Sequence, residues 1–246
     1  MKPALVSCII PVHNGERYLD ETLDSVIAQS YRPIEVIVVD DGSTDRSAEI
    51  VAARGDRLTL LCQANAGVAS ARNRGLEAVK SEFVAFGDHD DIWHPERLSR
   101  QMPCFTDRPD LDMCIAHIKS FWTPDLADQR DDYSDPLVDV VAPATVTTGM
   151  VVRRAVFDRI GVFDSAFRVA DHQDWYLRAI DGGAVIELLP DVLQYRRLHA
   201  TNMTRTEAPR YAVELAEIVK RSLDRRRRQG SGRVRPLDLP VVADST

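Results

Sequence analysis

Several patterns that would assign this 246-residue sequence to a class at once are missing from it. No apolar run approaches the roughly 20 residues that a membrane span needs. The apolar stretch that follows Met1 and Lys2 is too short to predict a signal peptide. The four cysteines show no CxxC spacing, and three of them lie in apolar runs. We therefore expect buried free thiols in a reducing cytosol rather than disulfides.

Phosphate-binding motifs are missing as well. No GxGxxG follows the first apolar run and no GxxxxGK[ST] occurs anywhere, which argues against a dinucleotide fingerprint and a P-loop. The DxDG[ST] pattern of aspartate-nucleophile phosphatases fails because Val39 stands two residues before Asp41. A net charge of −7 argues against a general nucleic-acid binder. A phosphorylated ligand must then be held by a metal ion and by scattered donors.

What the sequence does contain is an alternation of apolar runs and helical periodicities over its first ninety residues. Strands are predicted over residues 4–12, 34–39, 58–62, 83–87, 113–121, 146–152, 184–189 and 192–196, with Pro11 ending the first and Pro190 separating the last two. Helices are predicted over residues 16–29, 68–80, 94–105, 154–160, 171–180 and 206–228. A further helix is predicted to begin at a cap formed by Ser43 or Thr44 and to end at about Arg54. The acidic residues 123–135 are predicted to form a mobile loop. The alternation predicts an α/β fold with a parallel sheet and right-handed crossovers.

Polar residues follow three of the predicted strands. They are His13 and Asn14, Asp40 and Asp41, and residues 88–91, where three carboxylates fall within four positions. The carboxyl ends of parallel strands lie along one edge of a sheet, where open α/β folds bind ligands. Clustered carboxylates repel one another unless a cation or ligand hydroxyls lie among them, and aspartate oxygens suit Mg²⁺ or Mn²⁺. The alternative is a solvated acidic loop in which Asp91 caps a helix.

Basic residues are concentrated in two places that need separate interpretation. Arg72 and Asn73, near the start of a predicted helix, could donate hydrogen bonds to phosphates, or Arg72 could form a surface salt bridge. Residues 201–246 carry 10 Lys+Arg against 6 Asp+Glu. Their predicted helix has an apolar side, formed by Val213, Ala216, Ile218, Val219 and Leu223. With Arg225–Arg228 it could bind an anionic membrane surface, or it could be a solvated basic tail.

Four stretches together resemble the opening of the family 2 glycosyltransferases with the GT-A fold. They are residues 7–19 (SCIIPVHNGERYL), 38–45 (VVDDGSTD), 65–73 (NAGVASARN) and 88–90 (DHD), the last similar to the DxD metal motif of that family. The resemblance continues through residues 149–157, 161–164 and 195–196. It implies a Rossmann-like, mostly parallel central sheet flanked by helices. The implied glycosyltransferase domain is 1–204, with a nucleotide-sugar half (1–95) and an acceptor half (96–204), followed by a C-terminal helix and loose tail (205–246).

The resemblance also implies a donor site and a metal site. Pro11 and His13 would line the base pocket, and Asp40 would bind the base. Asp88 would face the ribose or sugar. The residues assigned to the nucleotide sugar are Pro11, His13, Asp40, Asp41, Arg72, Asp88 and His89. Asp90 and His199 would hold the metal, and an imidazole ligand favours Mn²⁺ over Mg²⁺. The alternative for His199 is a solvated loop histidine.

The general base is the point at which the sequence departs from the family. An acidic Glu-Asp pair commonly opens the helix predicted here over residues 171–180. This sequence has Asp171 at the position of the Glu and His172 at the position of the Asp. Asp171, Asp174 and His172 can each accept a proton near neutral pH, so all three are candidates, with Asp171 placed first. An Asp in the first turn of a helix can also serve only as a dipole partner.

The function implied is inverting transfer of a sugar, with Mn²⁺ or Mg²⁺, from a nucleoside diphosphate, UDP being favoured. The acceptor would be a glycan or a lipid-linked molecule, in polysaccharide or glycoconjugate synthesis. The expected location is the cytoplasm, at the inner face of the membrane if Arg225–Arg228 bind lipid. A second copy of the chain is a further candidate partner. The alternative is a catalytically impaired sugar-nucleotide-binding or membrane-surface assembly protein.

Overall fold

The first four strands form the parallel part of the sheet in a computed structural model that describes residues 3–124, 126, 141–143 and 147–230. They are β1 (Val6–Val12), β2 (Ile34–Asp41), β3 (Thr59–Gln63) and β4 (Phe83–Phe86). β1 lies between β2 and β4, and β2 pairs with β3, all in parallel. The predicted alternation is confirmed here. The prediction that Pro11 ends the pairing of the first strand is wrong, because β1 continues through Pro11 to Val12, which pairs with Asp40.

The helices between these strands are α1 (Leu19–Ile27), α2 (Ser47–Ala52) and α3 (Val68–Ala78). α3 lies unusually close to β1, because a Cβ on Gly75 would come within 2.5 Å of Ile9 Cγ2. Successive residues of β1 point to opposite faces, so Ile9 joins one core with α3, while Cys8 and Ile10 join the other with α1. The prediction that Ser43 or Thr44 caps α2 is wrong, because both contact Asn14 instead.

The second half adds mixed strands to the same sheet. These are β5 (Ile92–Trp93), β6 (Met113–Trp122), β7 (Val141–Pro143), β8 (Met150–Arg153) and β9 (Ile186–Leu198), with helices α4 (Arg97–Asp107), α5 (Arg154–Ile160) and α6 (Asp171–Asp181). The strand order in the described chain is β3-β2-β1-β4-β8-β6-β9-β5, with β7 on β6. β8 is antiparallel to β4 and β6, whereas β9 is parallel to β6.

Two of the expectations for this half need correction. The strand predicted over 146–152 begins only at Met150, after a short 3₁₀ turn at Thr147–Gly149. The two strands predicted around Pro190 are one strand, in which the residues between Leu188 and Val192 bulge out of the pairing with β6. The two-residue strand β5 was not predicted. Most of the loop predicted over 123–135 lies outside the described residues.

The C-terminal helices are α7 (Met203–Thr206) and α8 (Ala208–Arg228). α8 packs on α6 through Ile218, which is fully buried beside Phe167 and Ala170. The predicted apolar side is therefore only partly covered, since Val213, Val219 and Leu223 are exposed. Among the described residues, none of the helices is both long enough and apolar enough to cross a membrane.

Candidate active site

The strand ends that carry polar residues meet at one edge of the sheet, as the parallel topology requires. His13 follows β1, Asp40 and Asp41 end β2, and residues 88–91 follow β4. His13 Nδ1 lies 3.0 Å from the carbonyl oxygen of Asp41, so the β1 and β2 ends are in direct contact. Pro11 lies two residues before His13, inside β1, and is buried.

Asp41 organises the loop that faces His13. Its carboxylate accepts hydrogen bonds from the backbone amides of Ala66 and Gly67, both at 2.8 Å, and from Gln63. This loop places the side-chain Nδ2 of Asn65 within 3.1 to 3.2 Å of the two ring nitrogens of His13. Gly42 lies beside the loop at φ +73°, and a Cβ there would lie 2.8 Å from the backbone nitrogen of Asn65. Asp41 is thus a holder of the loop, while His13 and Asn65 present exposed polar atoms.

Asp40, the neighbour of Asp41, makes fewer hydrogen bonds through its side chain. It is buried, and its Oδ1 accepts a hydrogen bond from the Ser43 amide at 3.1 Å. Asn65 belongs to one of the quoted motifs, yet it was not predicted as a site residue. No feature of its spacing distinguishes it, because its proximity to His13 depends on the loop that Asp41 holds.

Asp90 and His199, predicted as metal ligands, are in contact. His199 Nε2 donates to Asp90 Oδ2 at 2.9 Å, and Asn202 Nδ2 lies 3.3 Å from the same oxygen. Burial would raise the pKa of Asp90, but the hydrogen bond from His199 and the charges of His89 and His199 outweigh burial and leave the pKa lowered. Asn202 was not predicted. It also fixes the His199 backbone by accepting its amide at 2.6 Å.

Asp90 and His199 can provide two protein ligands for a metal ion. Within the described residues there is no group of three or more His, Cys, Asp or Glu side chains suited to hold one. An ion completed by diphosphate oxygens and water needs only one or two protein ligands. The carboxylate and imidazole of Asp90 and His199 therefore fit a substrate-completed ion, and they do not fit a closed all-protein cage.

Asp91, the third carboxylate of the stretch, points away from this pair. Its Oδ1 accepts the Arg197 amide at 3.0 Å and its Oδ2 accepts Gln194 Nε2 at 2.7 Å. Burial raises its pKa well above the ordinary value, and the charges of Asp90 and Asp88 add to the effect. Asp91 therefore ties the β4 end to β9, which leads directly into His199, and it caps no helix.

Arg72 joins the donor side of the site to α6. It is buried, with Nη1 donating to Asp171 Oδ2 at 2.7 Å and Nη2 donating to Asp88 Oδ1 at 3.0 Å. The alternative of a surface salt bridge is wrong, because the pair of Arg72 with Asp171 is buried. A contact of Arg72 with phosphate stays a prediction. Asp88 keeps 40% of its side chain exposed, whereas Asp171 keeps none.

The three candidate bases lie in different environments. Asp171 is completely buried and forms an ion pair with Arg72. Asp174 Oδ2 accepts Arg178 Nε at 2.6 Å, and Arg178 in turn donates to the carbonyl oxygens of Ile160 and Val162. Asp174 thus anchors α6 to the turn after α5. His172 retains a small exposed area, and its Nδ1 lies 3.7 Å from Asp171 Oδ1.

The basic end of α8 is occupied by intramolecular contacts. Arg225 Nε and Arg226 Nε donate at 2.8 and 2.7 Å to the buried carboxylate of Asp181 on α6. Two of the four arginines predicted to face a membrane therefore hold two helices together. The rest of the tail, residues 231–246, lies outside the described residues, and the membrane contact stays a prediction.

The likeness to known proteins covers most of the chain. The family model described as "Glycosyl transferase family 2" matches residues 7–164. The curated protein "Uncharacterized glycosyltransferase alr2836" of Nostoc sp. is 32% identical over 80% of this chain, and "Uncharacterized glycosyltransferase RT0329" of Rickettsia typhi is 28% identical over 82%. The chain spans 66% of the length of each of these relatives.

Solved structures agree on the architecture. S. aureus TarS 1–349 in complex with UDP-GlcNAc has a TM-score of 0.63 at 25% identity, covering 80% of this chain and 59% of that chain. The mannosyltransferase PcManGT from Pyrobaculum calidifontis, in complex with GDP-Man and Mn²⁺, has a TM-score of 0.66 at 21% identity, covering 89% and 64%. These neighbours are GT-A glycosyltransferases, so the predicted fold class is confirmed. The chain belongs to glycosyl transferase family 2.

Proposed function

We propose that this protein transfers a sugar from a nucleoside diphosphate to an acceptor hydroxyl, with inversion at the anomeric carbon and with a divalent metal. The observation that carries the proposal is the meeting of two groups at one sheet edge. The first is the polar surface of His13 and Asn65, suited to a nucleobase, and the second is the Asp90–His199 pair, suited to a metal-bound diphosphate.

The donor is proposed to be a UDP-sugar. Support comes from TarS, which is 25% identical to this chain and whose structures contain UDP and UDP-GlcNAc. The acceptor is proposed to be a glycan or a lipid-linked saccharide on the cytoplasmic side of a membrane.

In the proposed reaction, different residues of the protein bind the nucleobase, the ribose or sugar, and the metal ion. His13 and Asn65 hold the base by hydrogen bonding, and Asp88 stands at the side of the ribose or sugar. Asp90 and His199 would hold the ion, preferably Mn²⁺ because of the imidazole. When bound, the ion neutralises charge that develops on the leaving diphosphate. Asn202 and Asp91 keep His199 and the start of the last loop in place around this pair.

The test is calorimetric titration of UDP, GDP and dTDP with Mn²⁺, and again with EDTA. We expect binding of UDP that requires the ion, and we expect Asp90→Ala to abolish this Mn²⁺-dependent binding together with turnover. Asp110→Ala, on the exposed Asp110, is the matched control and should bind as the wild type does. Binding of UDP that is equally tight with EDTA would contradict the metal site, and failure of all three nucleotides to bind would contradict the donor site.

A further inference from the structure

The start of α6 holds a buried cluster in which three polar atoms lack partners. Asp171 Oδ1, His172 Nε2 and Arg72 Nε are all buried and accept or donate no hydrogen bond among the described residues. Buried polar groups are almost always satisfied, and each unsatisfied one costs about 1–3 kcal/mol. The three atoms belong to residues that contact one another, since Arg72 binds Asp171 and His172 lies beside Asp171. We take them as an indication of a place that a bound molecule completes.

Asp171 is poorly suited to take a proton from that molecule. Its side chain is completely buried, and Oδ2 is already bound to Arg72. Burial would raise its pKa, but the charge of Arg72 and the nearness of His172 outweigh burial and hold the pKa at about 2. A carboxylate stabilised so strongly as an anion is a weak base, because basic strength falls with the pKa.

His172 has the opposite properties. Neutral imidazole carries one donor and one acceptor nitrogen, and the partner of one nitrogen decides which of them holds the proton. Nδ1 is the nitrogen nearer to Asp171 Oδ1, at 3.7 Å, so a proton on Nδ1 is favoured by that carboxylate. Nε2 is then left with its lone pair and with no partner in the described structure.

The segment that carries these residues is held firmly from both sides. Arg72 fixes Asp171 from α3. Glu214 of α8 accepts the backbone amides of Arg168, Val169 and Ala170 at 2.9 to 3.0 Å, immediately before α6 begins. Functional groups held on clamped helices are positioned more precisely than those on free loops.

We infer that His172 is the catalytic base of the proposed transfer and that Asp171 is a positioning residue, which orients the imidazole and links it through Arg72 to Asp88. This inference rests on the proposed function. His172 Nε2 takes the proton of the acceptor hydroxyl as that oxygen bonds to the anomeric carbon. The bond from this carbon to the diphosphate oxygen breaks, and its electron pair leaves with the nucleoside diphosphate. The imidazolium then returns its proton to solvent.

The first experiment compares His172→Asn with the wild type in turnover, UDP affinity and melting temperature. We expect kcat to fall by roughly 10²- to 10⁴-fold, the contribution of a general base. UDP affinity and melting temperature should change little, because within the described structure no hydrogen bond or ion pair joins His172 to His13 or to the Asp90–His199 pair. A variant that keeps near-wild-type turnover, or that loses UDP affinity in proportion to turnover, would overturn the inference.

The second experiment uses His172→Gly, which leaves room for a free base. Imidazole added to this variant should restore part of the lost turnover, whereas the same concentration added to Asp171→Asn should not. Rescue of neither variant, or rescue of the Asp171 variant alone, would contradict His172 as the base. UDP binding by the wild type distinguishes failure of the proposed function from failure of the base assignment. If the wild type itself does not bind UDP, the proposed function is wrong, and the assignment of His172 as its base is then wrong as well.

Discussion

Arg72 and Arg97 are both buried in this protein, and they differ in what surrounds their charge. Arg72 meets two carboxylates, on Asp88 and Asp171. Among the described residues, the contacts of Arg97 are with neutral groups: the side-chain oxygens of Gln101 and Gln194, the carbonyl oxygens of Phe86 and Met150, and the face of Trp93 at 3.8 Å. Two cations near the ends of adjacent strands are therefore stabilised by different means.

The difference shows in how burial acts on each cation. Burial would lower the pKa of Arg72, but the charges of Asp171 and Asp88 outweigh it and leave the pKa raised. Burial lowers the pKa of Arg97 to about 9, against which distant charges have little effect. Arg72 therefore holds charged site residues together, whereas Arg97 joins strands and α4 by satisfying neutral acceptors.

The largest effect that would test this contrast is expected from Arg72→Met. Removing the guanidinium leaves Asp171 as an unpaired charge in a fully buried position, so we expect a loss of about 3–5 kcal/mol in the free energy of unfolding. Urea unfolding measures it. A double variant with Asp171→Asn should recover part of the loss. Absence of any recovery would show that the charge on Asp171 is not what makes the Arg72 variant unstable.

The next effect concerns acid. The pKa of Asp171 is about 2 in the folded protein, against about 3.9 for an unfolded Asp. Because the folded pKa is the lower one, the pair stabilises the fold by about 2–3 kcal/mol above pH 5, and this stabilisation disappears as the pH falls from about 5 to 2. Unfolding measured between pH 5 and pH 2.5 should show a step that Asp171→Asn lacks. Identical slopes in both proteins would contradict the assignment.

A smaller loss is expected from Arg97→Met. Four neutral acceptors lose a donor, but a buried charge that the protein holds at some cost is removed with it, so the net loss should be about 1–2 kcal/mol. Turnover per folded molecule should stay close to that of the wild type, since Arg97 contacts none of the proposed site residues directly. A loss as large as that of Arg72→Met would erase the contrast between the two arginines.

The smallest effect is expected from Arg74→Met, two residues from Arg72 on the same helix. Arg74 pairs with Glu77, and both side chains are more than half exposed. Exposed pairs of this kind contribute at most about 0.5 kcal/mol, so stability and turnover should match the wild type. A loss above about 1 kcal/mol would indicate that α3 itself, rather than the buried pairing, is sensitive to substitution.

The sequence predicts the regions of this comparison unequally. Strands β1 to β4 are predicted because each is an apolar run, and a parallel order then brings His13, Asp40 and residues 88–91 to one edge. The contact of Asp90 with His199 spans 109 residues, and only the family resemblance connects them. The Arg72–Asp171 pair was not predicted, because many arginines and aspartates could meet and nothing in their spacing selects this pair.

In β9 and α8, tertiary packing gives a different structure from the one that the local sequence predicts. Pro190 predicts a break between two strands, yet the bulge around it lets β9 continue along β6. The apolar residues of α8 predict one buried face, but contact with α6 covers Ile218 and leaves Val213 exposed. In both cases the partner element, which lies far away in the sequence, decides the outcome.

The bulge in β9 also determines where this chain can change in length. It lies upstream of Gln194, Arg197 and His199, and it already accommodates three residues of β9 opposite one of β6. An insertion there can be absorbed by the loop without moving the downstream pairing. The pairing is irregular again between Val192 and Gln194 and is regular from Gln194 to Leu198. An insertion after Gln194 would turn Arg197 to the opposite face and carry His199 away from Asp90, since strand side chains alternate. Viable insertions and deletions in natural variants should therefore concentrate before Gln194.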